Sequence, residues 1–450
     1  MAGELFRPIF VPGEFSEAVS GRAWLSAMLE AEGALALAQA RAGLISREEA
    51  DAIVSCCDVD RFDPGEIGYK GRAKGNPVQP LVRALTEAVS GVFEDAASYV
   101  HRGATSQDIM DTATMLVCRR ALGMILTELD AVSAACAWLA DTHRDTLMPG
   151  RTLLQQALPT TFGLKAAGWL VAVLEAAERL RAARSRLAVQ LGGAAGTLAS
   201  LGPAGTRVLG EFAEVLDLTE PAVPWHTDRS RISEIGGSLS LAAGALGKIS
   251  QDVILMAQTE VGEVAEPAGE GRGGSSTLPH KRNPILSVTA AANVRRVLDL
   301  AHTLQTSMVS EHERAAGVWH TEWEALSEAL ALTGGAAAAV RESTEGLEIY
   351  PGNMRENLDV TGGLLLAENV TTVAAERLGR LEAHDLVEAA SHRSLESGKS
   401  LRGELISDPK LGNVLSEKEI DTALEPAGYL GSAGEFVDRA LRLYRGGKAR

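Results

Sequence analysis

Residues 269–284 read GEGRGGSSTLPHKRNP, and both the fold and the chemistry of the chain turn on what this segment is. Four of its first six residues are glycine. Ser275, Ser276 and Thr277 follow, and Lys281, Arg282 and Asn283 lie between two prolines. Glycine permits backbone conformations closed to other residues. Exposed N–H groups together with Lys281 and Asn283 can stabilise an oxyanion, and a serine beside such a cationic nest can ionise. A solvated Gly/Ser linker has the same composition, so the segment alone leaves both readings open. Gly269, Gly271 and Gly274 also fit G-x-G-x-x-G, but a dinucleotide site needs a strand before the glycines and a helix opening at them. A helical pattern precedes them here, which excludes that site.

On either side the chain is built for helices. Proline is absent from Leu81 to Met148, Thr160 to Gly202, Trp225 to Glu266 and Ile285 to Tyr350. A helix interior loses about 3 kcal/mol to proline, so these gaps permit long helices. From Ile232 to Val264 apolar residues recur at three- and four-residue steps, among them Ile235, Leu239, Ala242, Leu246, Ile249, Val253 and Met256. That periodicity predicts one helix of about 35 residues, roughly 50 Å long. Alternating strand patterns are scarce. The expectation is an all-α chain, with shorter helices over 1–112, a section of very long helices over 113–350, and a small helical section over 351–450.

Composition agrees. The 450 residues are 46% hydrophobic and only 4% aromatic, an Ala/Leu/Val-rich core that suits closely packed helices. The net charge of −16 argues against nucleic-acid binding, so any anion site must concentrate cations locally. With no unbroken run of about 18 apolar residues and no leader-like start, the expectation is a cytoplasmic protein without a membrane span. Cys56, Cys57, Cys118 and Cys136 have neither disulfide-framework nor zinc-ligand spacing, and no metal site is expected. Ser397-Gly398-Lys399-Ser400 ends like a P-loop, but Arg393 stands where its first glycine belongs.

Two further stretches give the glycine-rich segment company. VHRGATSQD, from Val100 to Asp108, sets His101, Thr105, Ser106 and Gln107 ahead of an apolar helical pattern. Hydroxyls and N–H groups at a helix start suit a carboxylate ligand, and Asp108 and Asp111 favour the helix N-terminus. MPGRTLLQQALPTTFG, from Met148 to Gly163, interrupts the helical pattern with two prolines and Gly150, and clusters hydroxyls and amides.

Together, in this order, the three stretches resemble those of the fumarase/aspartase superfamily, which includes adenylosuccinate lyases, argininosuccinate lyases and 3-carboxy-cis,cis-muconate cycloisomerases. The likeness covers nearly the whole chain, down to EPAGYLG at Glu425 to Gly431. The loop GSSTLPHKRNP departs from the usual pattern only at Leu278, where Met is common. The resemblance implies a homotetramer whose core is a bundle of helices from four subunits, with each active site shared by three of them. It implies addition–elimination beside a carboxylate through an aci-carboxylate intermediate, with no metal or organic cofactor. Carried over by motif, Ser275 is the general base, with Ser276 the next candidate and His101 a further catalytic residue. Lys281 and Asn283 hold the substrate carboxylate. Thr105, Ser106, Gln107, Arg151, Thr152 and Gln155 complete the binding set.

One departure narrows the reaction. Adenylosuccinate lyases, argininosuccinate lyases and fumarases have His after the Arg-Thr pair, whereas here Arg151-Thr152 is followed by Leu153. The His-Asp pair upstream in adenylosuccinate lyases corresponds to the neighbourhood of Gly75-Asn76-Pro77-Val78. Expelling an amine or hydroxide demands a proton, and a general acid contributes about 10²–10⁴ in rate. A carboxylate leaves as a stable anion, its conjugate acid having a pKa of about 4. The resemblance therefore points to the 3-carboxy-cis,cis-muconate cycloisomerases, which lactonise a small polycarboxylate in protocatechuate catabolism and also depart from His here. PWHTDRSR at Pro224 to Arg231 and EHERAAGVWHTEWE at Glu311 to Glu324 resemble segments of that subgroup. Arg314 suits bidentate carboxylate binding, His226 is a candidate substrate contact, and Trp319 and Trp323 are expected to form a core pair. Rival readings are a same-fold lyase releasing nitrite from a nitrosuccinate, an adenylosuccinate lyase, and a catalytically silent structural member. The intact loop from Ser275 to Asn283 speaks against the last.

Overall fold

The computed structural model describes residues 2–269, 278 and 281–448, and the described chain is dominated by α-helices. The long ones are Gly21–Arg41, Ser106–Thr142, Phe162–Ser185, Ser230–Met256, Ile285–Thr306 and Glu322–Glu345. At 37 residues the 106–142 helix runs about 55 Å. Ile109, Leu116, Ile125, Leu129 and Leu139 along it are all fully buried, as expected of a helix enclosed on most sides. Its start is fixed locally. The Thr105 N–H donates to Asp108 Oδ2 at 2.9 Å, and the Asp108 N–H donates to the Thr105 carbonyl, so an acidic side chain reaches back to the N–H of the residue just before the helix.

The 230–256 helix follows the predicted periodicity but stops at Met256, short of Val264. Beyond it the Gln258 carbonyl accepts the N–H groups of Val261 and Gly262, and the Glu263 N–H closes back onto the Met256 carbonyl. Gly262 takes φ +58°, a left-handed turn that glycine makes at no steric cost. The chain then enters Val264–Ala265, paired antiparallel with Glu348–Ile349. The Met148–Gly163 stretch is an antiparallel hairpin, Leu147–Thr152 against Gln155–Thr161. Pro149 and Pro159 face each other in it, tolerable because both strands of this two-stranded sheet are edges. Absence of proline also overstates helix elsewhere. Residues 307–317 carry none, yet the chain bends there through positive φ at His312 and Gly317.

By packing, the chain divides into two compact units. One comprises 1–130, 175–247 and 289–339; the other comprises 131–174, 248–288 and 340–450. All five boundaries fall inside long helices. In the first unit small residues permit close approach: Gly334 faces the Phe15 ring and Gly335 the Phe10 carbonyl, and a Cβ on either would overlap its neighbour. Ala329, Ala331, Ala336 and Ala337 on the same helix are fully buried. In the second unit Ala367–Leu378 and Arg380–Ser397 pack around Val370, Ala374, Val387, Leu401, Leu405 and Ile420. The P-loop-like run is a helix corner, where Gly398 caps one helix in the left-handed conformation and Ser400 caps the next by accepting the Gly403 N–H.

Ser106–Thr142 and Ser230–Met256 are long and apolar enough, by length and composition, to cross a membrane, and half of the most apolar window of each is buried within this structure. A search for unbroken apolar residues passes over both helices because serine, threonine and occasional charges interrupt them.

Candidate active site

In the first unit, buried charge organises the start of the 106–142 helix. Asp108 accepts the N–H groups of Thr105, Gly192 and Gly193 at 2.9, 3.0 and 2.9 Å, and lies 2.7 Å from His226 Nε2. One carboxylate thus ties the 192–193 turn and the His226 ring to the helix start. A Cβ on Gly192 would strike His226 and Pro224, so the ring is sealed beneath that turn. Gln107 is fully buried as well, its Nε2 donating to Asp111 Oδ2 at 3.1 Å and to the His226 carbonyl at 2.9 Å. Gln107 and His226, expected to touch substrate, are therefore engaged inside the protein.

One turn further along, Arg229 is 1% exposed and sits between two carboxylates. It donates to both oxygens of Asp111 at 2.9 and 3.0 Å and to both of Glu322 at 3.0 and 2.6 Å. Trp319 Nε1 adds a bond to Asp111 at 3.0 Å, and the Trp225 ring lies 5.0 Å from the guanidinium. Two carboxylates on one cation leave excess negative charge in a dry place. Burial accordingly holds the Glu322 carboxyl above its ordinary range, against the pull of Arg229. Trp319 and Trp323 meet edge to face with centroids 4.8 Å apart, the core pair expected.

The remaining candidates of this unit are Arg314, Thr105, Ser106 and His101. Arg314 donates to Thr105 Oγ1 at 2.6 Å and to the carbonyls of Gly193 and Ala194 at 3.2 and 3.0 Å, so two candidates more than two hundred residues apart in sequence meet. Ser106 is half-buried beside Thr105. His101 has φ +60°, and its Nδ1 lies 2.6 Å from Glu32 Oε1. Burial works against charge on the imidazole, yet Glu32 and Asp108 outweigh it and raise its pKa.

The second unit presents its candidates differently. Leu153 and Leu154 form the two-residue turn of the hairpin with φ +50° and +66°. Thr152, Leu153 and Gln155 are all exposed, Leu153 to 97%. Arg151 makes a two-point pair with fully buried Glu263 at 3.0 and 2.6 Å, and Asn357 donates to the same carboxylate at 2.9 Å. Its guanidinium fastens the hairpin and does not stand free for a ligand. Lys281 is exposed and Asn283 half-buried, on either side of Arg282. Arg282 donates to Glu348 at 2.9 and 2.6 Å, to the Tyr350 hydroxyl at 3.1 Å and to the Glu266 carbonyl at 2.7 Å. These bonds from Arg282 and Tyr350 hold the Glu348 carboxyl down to about 2. The Glu266 carboxylate accepts the N–H groups of Leu286 and Ser287 at 2.9 and 2.7 Å, capping the 285–306 helix. Ser275 and Ser276 lie outside the described residues.

Sequence reasoning missed Glu32, Arg229, Glu266, Arg282 and Glu322, and saw in Asp108 and Asp111 only helix-start acids. One signal was available. Glu32 and Gln39 stand seven residues apart in an otherwise Ala/Leu-rich helix, which places both on one buried face.

The family model described as lyase matches residues 11–298, and that of the adenylosuccinate lyase C-terminus matches 363–440. A 3-carboxy-cis,cis-muconate cycloisomerase of Bradyrhizobium diazoefficiens is 44% identical over 97% of this chain and 97% of its own. A nitrosuccinate lyase of Streptomyces davaonensis is 45% identical over 97% of this chain and 94% of its own. The crystal structure of 3-carboxy-cis,cis-muconate lactonizing enzyme from Pseudomonas putida superposes with a TM-score of 0.93 at 42% identity, covering 98% of this chain and 99% of that one. The chain belongs to the fumarase/aspartase superfamily of lyases.

Proposed function

We propose that the chain closes 3-carboxy-cis,cis-muconate to a carboxymuconolactone. A substrate carboxylate oxygen adds to a double bond and forms the C–O bond of the ring. The displaced π electrons pass into the neighbouring carboxyl group as an aci-carboxylate, and the carbon between them then takes a proton. Ser275 is assigned that proton transfer, with Ser276 the alternative. Lys281 and Asn283 hold the carboxyl on which charge develops, and His101, Thr105, Ser106 and Arg314 hold another. Thr152 and Gln155 come from the hairpin, while Gln107, Arg151 and His226 act as supports. We assign the site to a homotetramer in which three copies contribute. The exposed hairpin tip and the exposed Leu241, Val288 and Leu298 on long helices suit surfaces covered by other copies.

The observation that carries the choice of reaction is Leu153. It puts an apolar side chain on an exposed tip where related lyases carry a proton-donating His, which suits a leaving group that is stable as an anion. The ultraviolet assay is direct: diene absorbance falls with 3-carboxy-cis,cis-muconate, and neither fumarate nor adenylosuccinate is consumed. Absence of muconate turnover defeats this reading. Nitrite is also a good leaving group, and the Streptomyces davaonensis relative favours it as the second reading. Nitrite release from nitrosuccinate without muconate turnover would select it. Ser275→Ala is expected to abolish turnover and leave the oligomer intact; near-normal activity would move the base to Ser276.

A further inference from the structure

We propose that Glu32 is a positioning residue that keeps His101 protonated and in one orientation, so that its Nε2–H serves as a fixed donor to a substrate carboxylate. The choice of carboxylate ligand rests on the function proposed above; the pairing itself does not.

Glu32 lies midway along the 21–41 helix with its side chain fully buried. Oε1 is 2.6 Å from His101 Nδ1, and Oε2 makes no hydrogen bond among the described residues. A carboxylate taken out of water with a single polar partner draws its compensating charge from that partner. The other groups that bear on the imidazole do not compete for this role. Burial, then Glu32, push the Cys57 thiol up to about 12, so it stays a neutral thiol. Asp108 adds negative charge but is occupied by three N–H groups and His226. Arg314, the nearby cation, is engaged with Thr105 and two carbonyls.

The backbone is held by the same helix. Histidine at φ +60° is uncommon and persists where its surroundings over-determine it. Gln39, two turns beyond Glu32, donates to the Arg102 carbonyl at 3.0 Å, and the Ala104 N–H reaches the His101 carbonyl at 3.3 Å. One face of one helix therefore sets both the ring and the peptide that carries it. With Nδ1 committed to Glu32, Nε2–H is the ring donor left for a ligand, on a side chain 19% exposed. A charged donor makes a markedly stronger bond to a carboxylate than a neutral one. The sign follows from the raised pKa of His101. The charge is complete below the ordinary histidine value of about 6.5 and is lost as pH rises through the raised value.

The test is the His101 titration in the full chain, read from imidazole Cε1–H resonances and assigned with His101→Gln, beside the pH profile of kcat/KM. Wild-type His101 is expected to titrate above about 6.5, and Glu32→Gln to lower that value. The alkaline limb of kcat/KM for 3-carboxy-cis,cis-muconate should move down by the same interval, mostly through KM. A wild-type titration at or below about 6.5 overturns the proposal even if Glu32→Gln does not fold. So does a folded Glu32→Gln whose His101 titration stays in place. Failure of muconate turnover would defeat the substrate assignment and leave the titration to decide the pairing.

Discussion

Two arginines, one in each unit, are held in opposite ways. Arg229, in the first unit, is 1% exposed between Asp111 and Glu322, whereas Arg282, in the second, bridges Glu348 with both side chains about two-fifths exposed. The chemistry is the same, a two-point guanidinium–carboxylate pair. Burial makes the first pair part of the fold, because removing the cation strands two charges in a dry interior. Exposure makes the second nearly neutral for stability, since water screens and replaces the lost contacts. Its position between Lys281 and Asn283 gives it a different value, that of aiming two candidate ligands of a carboxylate.

The largest expected effect tests the buried side of this contrast. Arg229→Met should lower the free energy of unfolding by about 3–5 kcal/mol in urea. A loss under about 1 kcal/mol would mean that Asp111 and Glu322 are already protonated or hydrated, and that the region is not dry.

Arg282→Ala should do the reverse. Stability is expected to change by less than about 1 kcal/mol, while kcat/KM falls on the order of 10²-fold through loss of alignment. Equal losses in stability and activity would show that the 281–283 segment is held by the fold as rigidly as the first unit, and the contrast would collapse.

The acid limb of stability separates the two regions by sign. Glu348 is held down to about 2, so the stability it contributes is present above its unfolded value of about 4.3 and fades as pH falls toward 2. Glu322 is raised by burial, so the folded state binds its proton more readily and stability falls as pH rises through the window above about 4.3. Urea midpoints across pH 2–6 should accordingly lose a small acid-side slope in Glu348→Gln. An unchanged slope would place Glu348 outside the interaction.

Much of the first unit was legible because its signals are local or belong to motifs. Thr105 reads as a helix start from its own neighbours, and Arg314 was picked out for the carboxylate chemistry of its guanidinium. The supporting charges were not legible, since Asp108 meets His226 across 118 residues and Arg229 meets Glu322 across 93. Periodicity records that a position is buried and not which distant partner neutralises it. The second unit hid its hairpin for another reason. A two-residue turn is announced by Asn-Gly or Asp-Gly, and Leu153-Leu154 carries neither, so two prolines and a glycine read as a broken helix. The end of the 230–256 helix was missed because Gly262, whose positive φ turns the chain, lay inside an apparently continuous pattern.

That unannounced turn supplies the smallest effect and the sharpest comparison. Left-handed backbone at a residue with a Cβ costs about 1–2 kcal/mol, and two successive leucines bear it on an exposed tip. Asn and Gly adopt the same turn with less strain. The double variant Leu153→Asn/Leu154→Gly should therefore be more stable to urea by about 1 kcal/mol. Strain that survives on an exposed loop is retained where shape matters to function, so the same variant should turn over 3-carboxy-cis,cis-muconate more slowly despite its greater stability. Retention of full activity in the stabilised protein would remove the tip from the site.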